Sequence, residues 1–358
     1  MWMQNKTPVY LVALALCALV SGCDTAYLWQ AARGQLDLMQ RQRPIAELLQ
    51  DSTTPAATRQ ALNYLLSARS FALEQLQLED NQSYLQYVDL QREYVSWNVF
   101  ATPELSMQNH TWCYPIAGCV SYRGYFDETD AEAYANALKQ EGFDTYVSGV
   151  GAYSTLGWFD DPVLSTFLQR GKVSLAVLLF HELAHQVLYV QDDTEFNESF
   201  ASSVETLLLQ RWIQQQALQE DWQTYRRMEA RQAAFTQLVL QHQQQRTDLF
   251  QSDLETSEKR RRKAQLIQDM HQDYADFKQT WQYDGYDNWV AKGLNNAQLS
   301  TVAAYHGLKP GFLALYEVSG QNLTTFIQEC RRLATLERDD RHQHLNELAS
   351  GNIVYTQN

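Results

Sequence analysis

The stretch from Lys172 to Val190, KVSLAVLLFHELAHQVLYV, decides how this chain is read. It is apolar on nearly every face, so a helix formed from it has to be buried. Yet it carries His181, Glu182 and His185, and ionisable groups left unpaired in an apolar interior each cost on the order of several kcal/mol. The spacing resolves the conflict, because HELAH fits the pattern H-E-x-x-H. On a helix the two histidines share one face and reach a single divalent ion. Glu182, turned by about 100°, misses that ion and addresses a water beside it. Zinc acidifies such a water and a glutamate takes its proton, which is the chemistry of metal-assisted hydrolysis with Glu182 as general base. A chance match is expected in on the order of one chain in a hundred.

A catalytic zinc needs a third protein ligand and room for water. The metzincin pattern would place a glycine and a third histidine at positions 188 and 191; Leu188 and Gln191 stand there instead. The next helix is expected to start at Asp193-Thr194, both good caps, and to run through FNESFASSVETLLLQRW. Within it Glu198 and Glu205 are two turns apart on one face. Asn197-Glu198 resembles the Asn-Glu pair of gluzincins, so Glu198 is the expected third ligand. Glu205 is its alternative, or a partner that orients a histidine. Asp192 and Asp193 read as turn and cap residues.

The rest of the chain is mainly α with a small α/β (mixed-sheet) insert. Residues 27–100 show apolar positions at helical spacing, broken at Pro44 and at Ser52-Thr53-Thr54-Pro55. Val120 to Phe126 and Thr145 to Thr155 read as strands, with a helix from Asp130 to Glu141 between them. Residues 216–282 read as a long amphipathic helical hairpin with a turn and capping box at Ser252-Asp253-Leu254-Glu255; this hairpin is also a candidate surface for a protein partner. The tail reads as short helices broken at Gly293, Gly307-Lys309-Pro310 and Gly320.

The N-terminus carries an address. Lys6 precedes the apolar run Val9 to Val20, too short to span a bilayer comfortably, and Val20-Ser21-Gly22-Cys23 resembles a lipobox. The expected organisation is a signal peptide over 1–22 and a single catalytic domain over 23–358, acylated at Cys23. That places it lipid-anchored in a bacterial cell envelope, facing the periplasm. Asp24 resembles an inner-membrane retention signal. Cys113 and Cys119, with Pro115 and Gly118 between them, are expected to form a disulfide in that oxidising compartment; Cys330 reads as a buried thiol. A net charge of -14 would repel phosphates and disfavours a nucleic-acid partner.

HELAHQVLYVQDDTEFNESFASSVE, WCYPIAGCVSYRGYF, YSTLGWFDDPVLSTF and LNNAQLSTVAAYHGLKPGF, together with the lipobox, resemble a family of bacterial zinc aminopeptidases described as lipoproteins. The resemblance covers nearly the whole mature chain. It implies a zincin-like metallopeptidase with one zinc ion and a peptide substrate. Zincins often border the cleft with a strand ahead of the zinc helix, which makes Ala152, Tyr153, Ser154 and Thr155 candidate substrate-binding residues. They also tend to use a Tyr or His as oxyanion donor, so Tyr305 and His306 are candidates. The competing expectation is a zincin-fold lipoprotein without turnover, acting as a binding or assembly module.

Overall fold

The computed structural model describes residues 24–114, 118–151, 161–168, 171–216, 219–303 and 307–351. Its centre is the buried pair predicted from the sequence, helix α6 (Lys172–Val187) and helix α7 (Thr194–Gln216). Gly171, at φ 80°, opens α6 in a conformation that a side chain would resist. Leu175, Leu179, Phe180 and Leu183 of α6 and Phe196, Phe200, Val204 and Leu208 of α7 are almost fully buried. Ahead of them, α1 (Asp24–Gln40), α2 (Ile45–Gln50) and α3 (Ala56–Leu76) supply a first layer, with Leu62, Leu65 and Phe71 of α3 in the same core. Behind them come α12 (Lys309–Val318), α13 (Leu323–Ala334) and α14 (Arg338–Ala349). Phe312 of α12 packs at ring distances of 5.1 and 5.9 Å from Phe196 and Phe200, and 6.5 Å from Phe326.

The α/β insert is a three-stranded antiparallel sheet. Its central strand β3 (Ser96–Pro103) lies between β6 (Arg123–Tyr125) and β7 (Phe143–Val150), and α4 (Glu128–Gln140) crosses from one edge to the other. Ala131, Ala135 and Leu138 of α4 cover Trp97, Val99 and Ala101 of β3. Asp127 caps α4 by accepting hydrogen bonds from the Thr129 and Asp130 amides. Two features differ from the sequence reading. The segment predicted as one strand over Val120 to Phe126 is split into β5 (Gly118–Val120), which pairs with β4 (Trp112–Tyr114), and β6. The Cys113–Cys119 disulfide sits on that small ribbon, at the directly paired position. The helical reading of 27–100 also ends early. β2 (Gln86–Val88) pairs with β1 (Arg43–Pro44) and, in parallel, with β8 (Val163–Leu164), which leads into α5 (Ser165–Leu168) and so to α6. β1, β2 and β8 are two or three residues long, too short for an alternating pattern to register, whereas the first residues of β3, an eight-residue strand, also fall in the stretch read as helical.

The hairpin consists of α8 (Gln219–Gln251) and α9 (Thr256–Trp281). The expected capping box is not made: Glu255 caps α9 without a side-chain bond, and the Ser252 hydroxyl donates backward to the Leu249 carbonyl at 2.7 Å. The apolar stripe of the hairpin, Phe235, Val239, Met270, Tyr274 and Phe277, is covered by residues around α10 (Asp287–Val290) and α11 (Asn296–Ala303). Asp144 ties the hairpin to the sheet. It accepts from Lys263 Nζ at 2.6 Å and from the Asn296 amide at 3.0 Å.

Phe312 joins the C-terminal helices to α7 through two aromatic contacts and packs on Phe326 of α13, so Phe312→Ala should cost about 3–5 kcal/mol of stability. Urea unfolding of the purified protein measures this; a loss under about 1 kcal/mol would mean that the tail does not support the core.

Candidate metal centre

His181 lies in the third turn of α6 and His185 one turn later, so both rings leave the same face. Opposite them α7 presents Glu198 in its second turn and Glu205 two turns further on. The four side chains meet between the helices. His181 Nε2 is 3.2 Å from His185 Nε2 and 3.2 Å from Glu198 Oε2, and Glu198 Oε1 is 3.8 Å from His185 Nε2. His181, His185 and Glu198 each offer a ligand atom, all within 4.8 Å of one another. Glu205 takes the other side of the ring, with its Oε2 2.9 Å from His181 Nδ1.

This geometry separates the two glutamates. A carboxylate on Nδ1 sets the tautomer that leaves Nε2 free as a ligand and orients the ring, which is the role of a partner behind a metal-binding histidine. Glu198 reaches the Nε2 side of both rings, where it could serve as the third ligand. The side chains keep between 5% and 20% of their surface exposed, so the centre opens to solvent rather than being sealed. Three protein donors of the types N, N and O with an open side suit a divalent ion that retains a position for water.

Electrostatics agree with a cation at this place. Burial alone would lower the His181 pKa, but its hydrogen bonds to the Glu198 and Glu205 carboxylates, and the charges of Glu205 and Glu182, outweigh it and hold the pKa well above that of an ordinary histidine. For His185, burial and then the charge of His181 push the pKa down to about 4. The cluster thus draws in one positive charge, which a proton on His181 supplies when nothing else does. The Nδ1 of His185 is buried with no hydrogen-bond partner among the described residues. Among the described residues, His185 thus has no second group to set its tautomer.

The short connection between the helices is locked by Asn197. Its Nδ2 donates to the Val190 carbonyl at 2.7 Å and its Oδ1 accepts from the Val190 amide at 2.8 Å. Asp193 caps α7 by accepting from the Phe196 amide at 3.2 Å. It is 1% exposed and also faces Arg341 at 3.1 Å and His342 at 2.9 Å from α14. Asp192, at φ 61°, makes the turn. The sequence reading of both aspartates as turn and cap residues therefore holds for the described geometry. Arg341 and His342 were missed, and nothing in the sequence near them points to a contact so far along the chain. Tyr189 was missed as well. It is half exposed and its ring stands edge-on to His185 at 6.4 Å. The candidate substrate residues Ala152, Tyr153, Ser154 and Thr155, the candidate oxyanion donors Tyr305 and His306, and Cys23 lie outside the described residues.

The family model described as "Putative aminopeptidase" matches residues 26–345. The chain belongs to that family. With the His181, His185 and Glu198 cluster, membership makes it a zinc metallopeptidase acting on peptides. No curated protein and no solved structure matches the chain.

Two measurements test the site. Glu198→Ala should abolish stoichiometric zinc, whereas Glu205→Gln should retain it with about 10- to 100-fold weaker affinity. Equal loss in both, by competition against a chromogenic chelator, would make Glu205 a ligand too. Because His181 must lose its proton to bind, zinc uptake at neutral pH should release about one proton and weaken as pH falls. Calorimetry in buffers of different ionisation enthalpy reads this directly, and a buffer-independent heat would contradict it.

Proposed function

We propose that this metallopeptidase is an aminopeptidase anchored by a lipid on Cys23 in the bacterial envelope, hydrolysing peptide bonds with Glu182 as general base. The observation that supports it most is the placement of two imidazoles and a carboxylate around one point, with Glu182 beside His181 in the same helix and close enough to influence its charge. Zinc, when bound, supplies a Lewis acid that polarises a carbonyl and acidifies water. The chain's own groups do the rest. His181, His185 and Glu198 hold the ion's place, and Glu205 keeps the His181 ring turned toward it. Glu182 takes the proton of the attacking water and delivers it to the leaving amine. Tyr305 and His306 are proposed donors to the oxyanion, and Ala152 to Thr155 the strand along which the substrate lies. Aminopeptidase specificity follows the family's description.

The lipid anchor rests on Val20-Ser21-Gly22-Cys23 after an apolar run. It places the site in the periplasm, with Asp24 favouring the inner membrane. A disulfide at Cys113–Cys119 accords with an oxidising compartment.

The deciding experiment compares unblocked with N-blocked peptides, using wild type, Glu182→Gln, Tyr305→Phe and His306→Ala. Expected are cleavage of unblocked peptides only, full zinc content throughout, and a loss of about 10²- to 10⁴-fold in kcat for Glu182→Gln. A smaller loss is expected for whichever of the other two removes the oxyanion donor. Cleavage of blocked peptides would make the enzyme an endopeptidase. Undiminished turnover by Glu182→Gln would remove it as the base, and bound zinc with no hydrolysis by wild type would favour a binding module.

A further inference from the structure

Leu28, Trp29, Leu36 and Met39 are 53%, 72%, 55% and 44% exposed, and all four lie on α1. Among the described residues only two other large apolar side chains, Tyr122 and Tyr189, are comparably exposed. At about 100° per residue, Leu28, Met39, Ala32, Thr25, Leu36 and Trp29 follow one another round the helix within an arc of roughly 100°. No charged residue interrupts that arc; Arg33 and Asp37 lie beyond its Trp29 edge. Isolated exposed apolar side chains are ordinary, but a continuous apolar stripe marks an interaction surface.

The helix is not free to roll and bury this stripe. Its opposite face is fastened to the α/β insert. Gln30 donates to the Gly124 carbonyl and accepts from the Phe126 amide, both at 3.1 Å. The Tyr27 ring packs on Tyr114 and Tyr125, and the Arg123 guanidinium lies 4.0 Å from its centroid. Leu38 is 2% exposed. The stripe is therefore held outward by the fold.

What covers it follows from where α1 begins. Asp24 is the residue after Cys23, and the apolar run Val9 to Val20 precedes that. At 1.5 Å per residue, Trp29 lies about 7.5 Å along the helix from Asp24 and Met39 about 22.5 Å. A lipid on Cys23 would bring the start of this face to the bilayer surface, with a tryptophan, a side chain favoured at headgroup depth, in its first turns. Among the described residues no helix is long and apolar enough to cross a membrane. A one-sided apolar stripe suits a helix lying in the interface.

We propose that the Leu28 to Met39 face of α1 lies in the headgroup region of the bilayer, making the anchor a two-point attachment that fixes how the catalytic domain stands on the membrane. This rests on the lipid-anchor reading above, and its test separates the two.

The mature protein, extracted from membranes and reconstituted in phosphatidylethanolamine and phosphatidylglycerol vesicles, carries a nitroxide at Ala32→Cys or at Asp37→Cys. Both positions are exposed, so neither label disturbs packing. Position 32 should show several-fold higher oxygen and lower nickel-chelate accessibility than position 37. Mass analysis of the Cys23 peptide reports acylation independently. Acylated, vesicle-bound protein with equally water-exposed labels would overturn the interfacial face and leave the lipoprotein reading intact. An immersed label at 32 on unacylated protein would support the face and defeat the lipid. Protein that does not remain on vesicles overturns the proposal. So does spin–spin broadening at position 32 in vesicle-free protein, which would show two copies joined through this face.

Discussion

Two imidazoles and two carboxylates share a gap between neighbouring helices whose other contacts are almost all apolar. That arrangement is tolerable only if the charges are balanced in place, because an uncompensated ion there would cost several kcal/mol, on the order of its lost hydration. His181 sits between Glu198 on one ring nitrogen and Glu205 on the other. The pair of carboxylates attracts a positive charge, and the low pKa of His185 keeps a second proton out. The donor set thus favours one positive charge at this place, and the surrounding structure preserves that geometry.

The preserving groups form a graded set. Asn197 makes both backbone bonds to Val190 and keeps the connection between α6 and α7 short. Asp193 fastens the same connection to α14, through Arg341 and His342. Phe312 then seats the C-terminal helices on the outer face of α7. Asn197 limits how far the two helices can separate, the other two hold α7 against the C-terminal helices, and donor atoms must be placed to within a few tenths of an ångström for a metal site to hold.

The legible part of this chain was the part where local pattern and burial coincide. The apolar run from Lys172 had to be a buried helix, and four-residue spacing put His181 and His185 together. Seven-residue spacing put Glu198 and Glu205 on one face. The hairpin over 216–282 was visible from its recurring apolar positions, and α8 and α9 fall within it. The capping box at Ser252 to Glu255 failed because Ser252 satisfies a carbonyl in the preceding helix instead. Short strands such as β1, β2 and β8 were invisible, since two or three residues pair by where tertiary packing puts them.

From the residues alone came the metal-binding helix, the next helix with its two candidate carboxylates, and the disulfide partners, because each depends on spacing along one continuous segment. That Glu198 faces the Nε2 side of His181 while Glu205 faces its Nδ1 was decided only when α7 was set against α6 at a particular depth and rotation. The same holds for Arg341 and His342 on Asp193, and for the outward-facing stripe of α1. Their partners are distant in sequence, and a chain read in one dimension carries no record of the angle at which two helices meet.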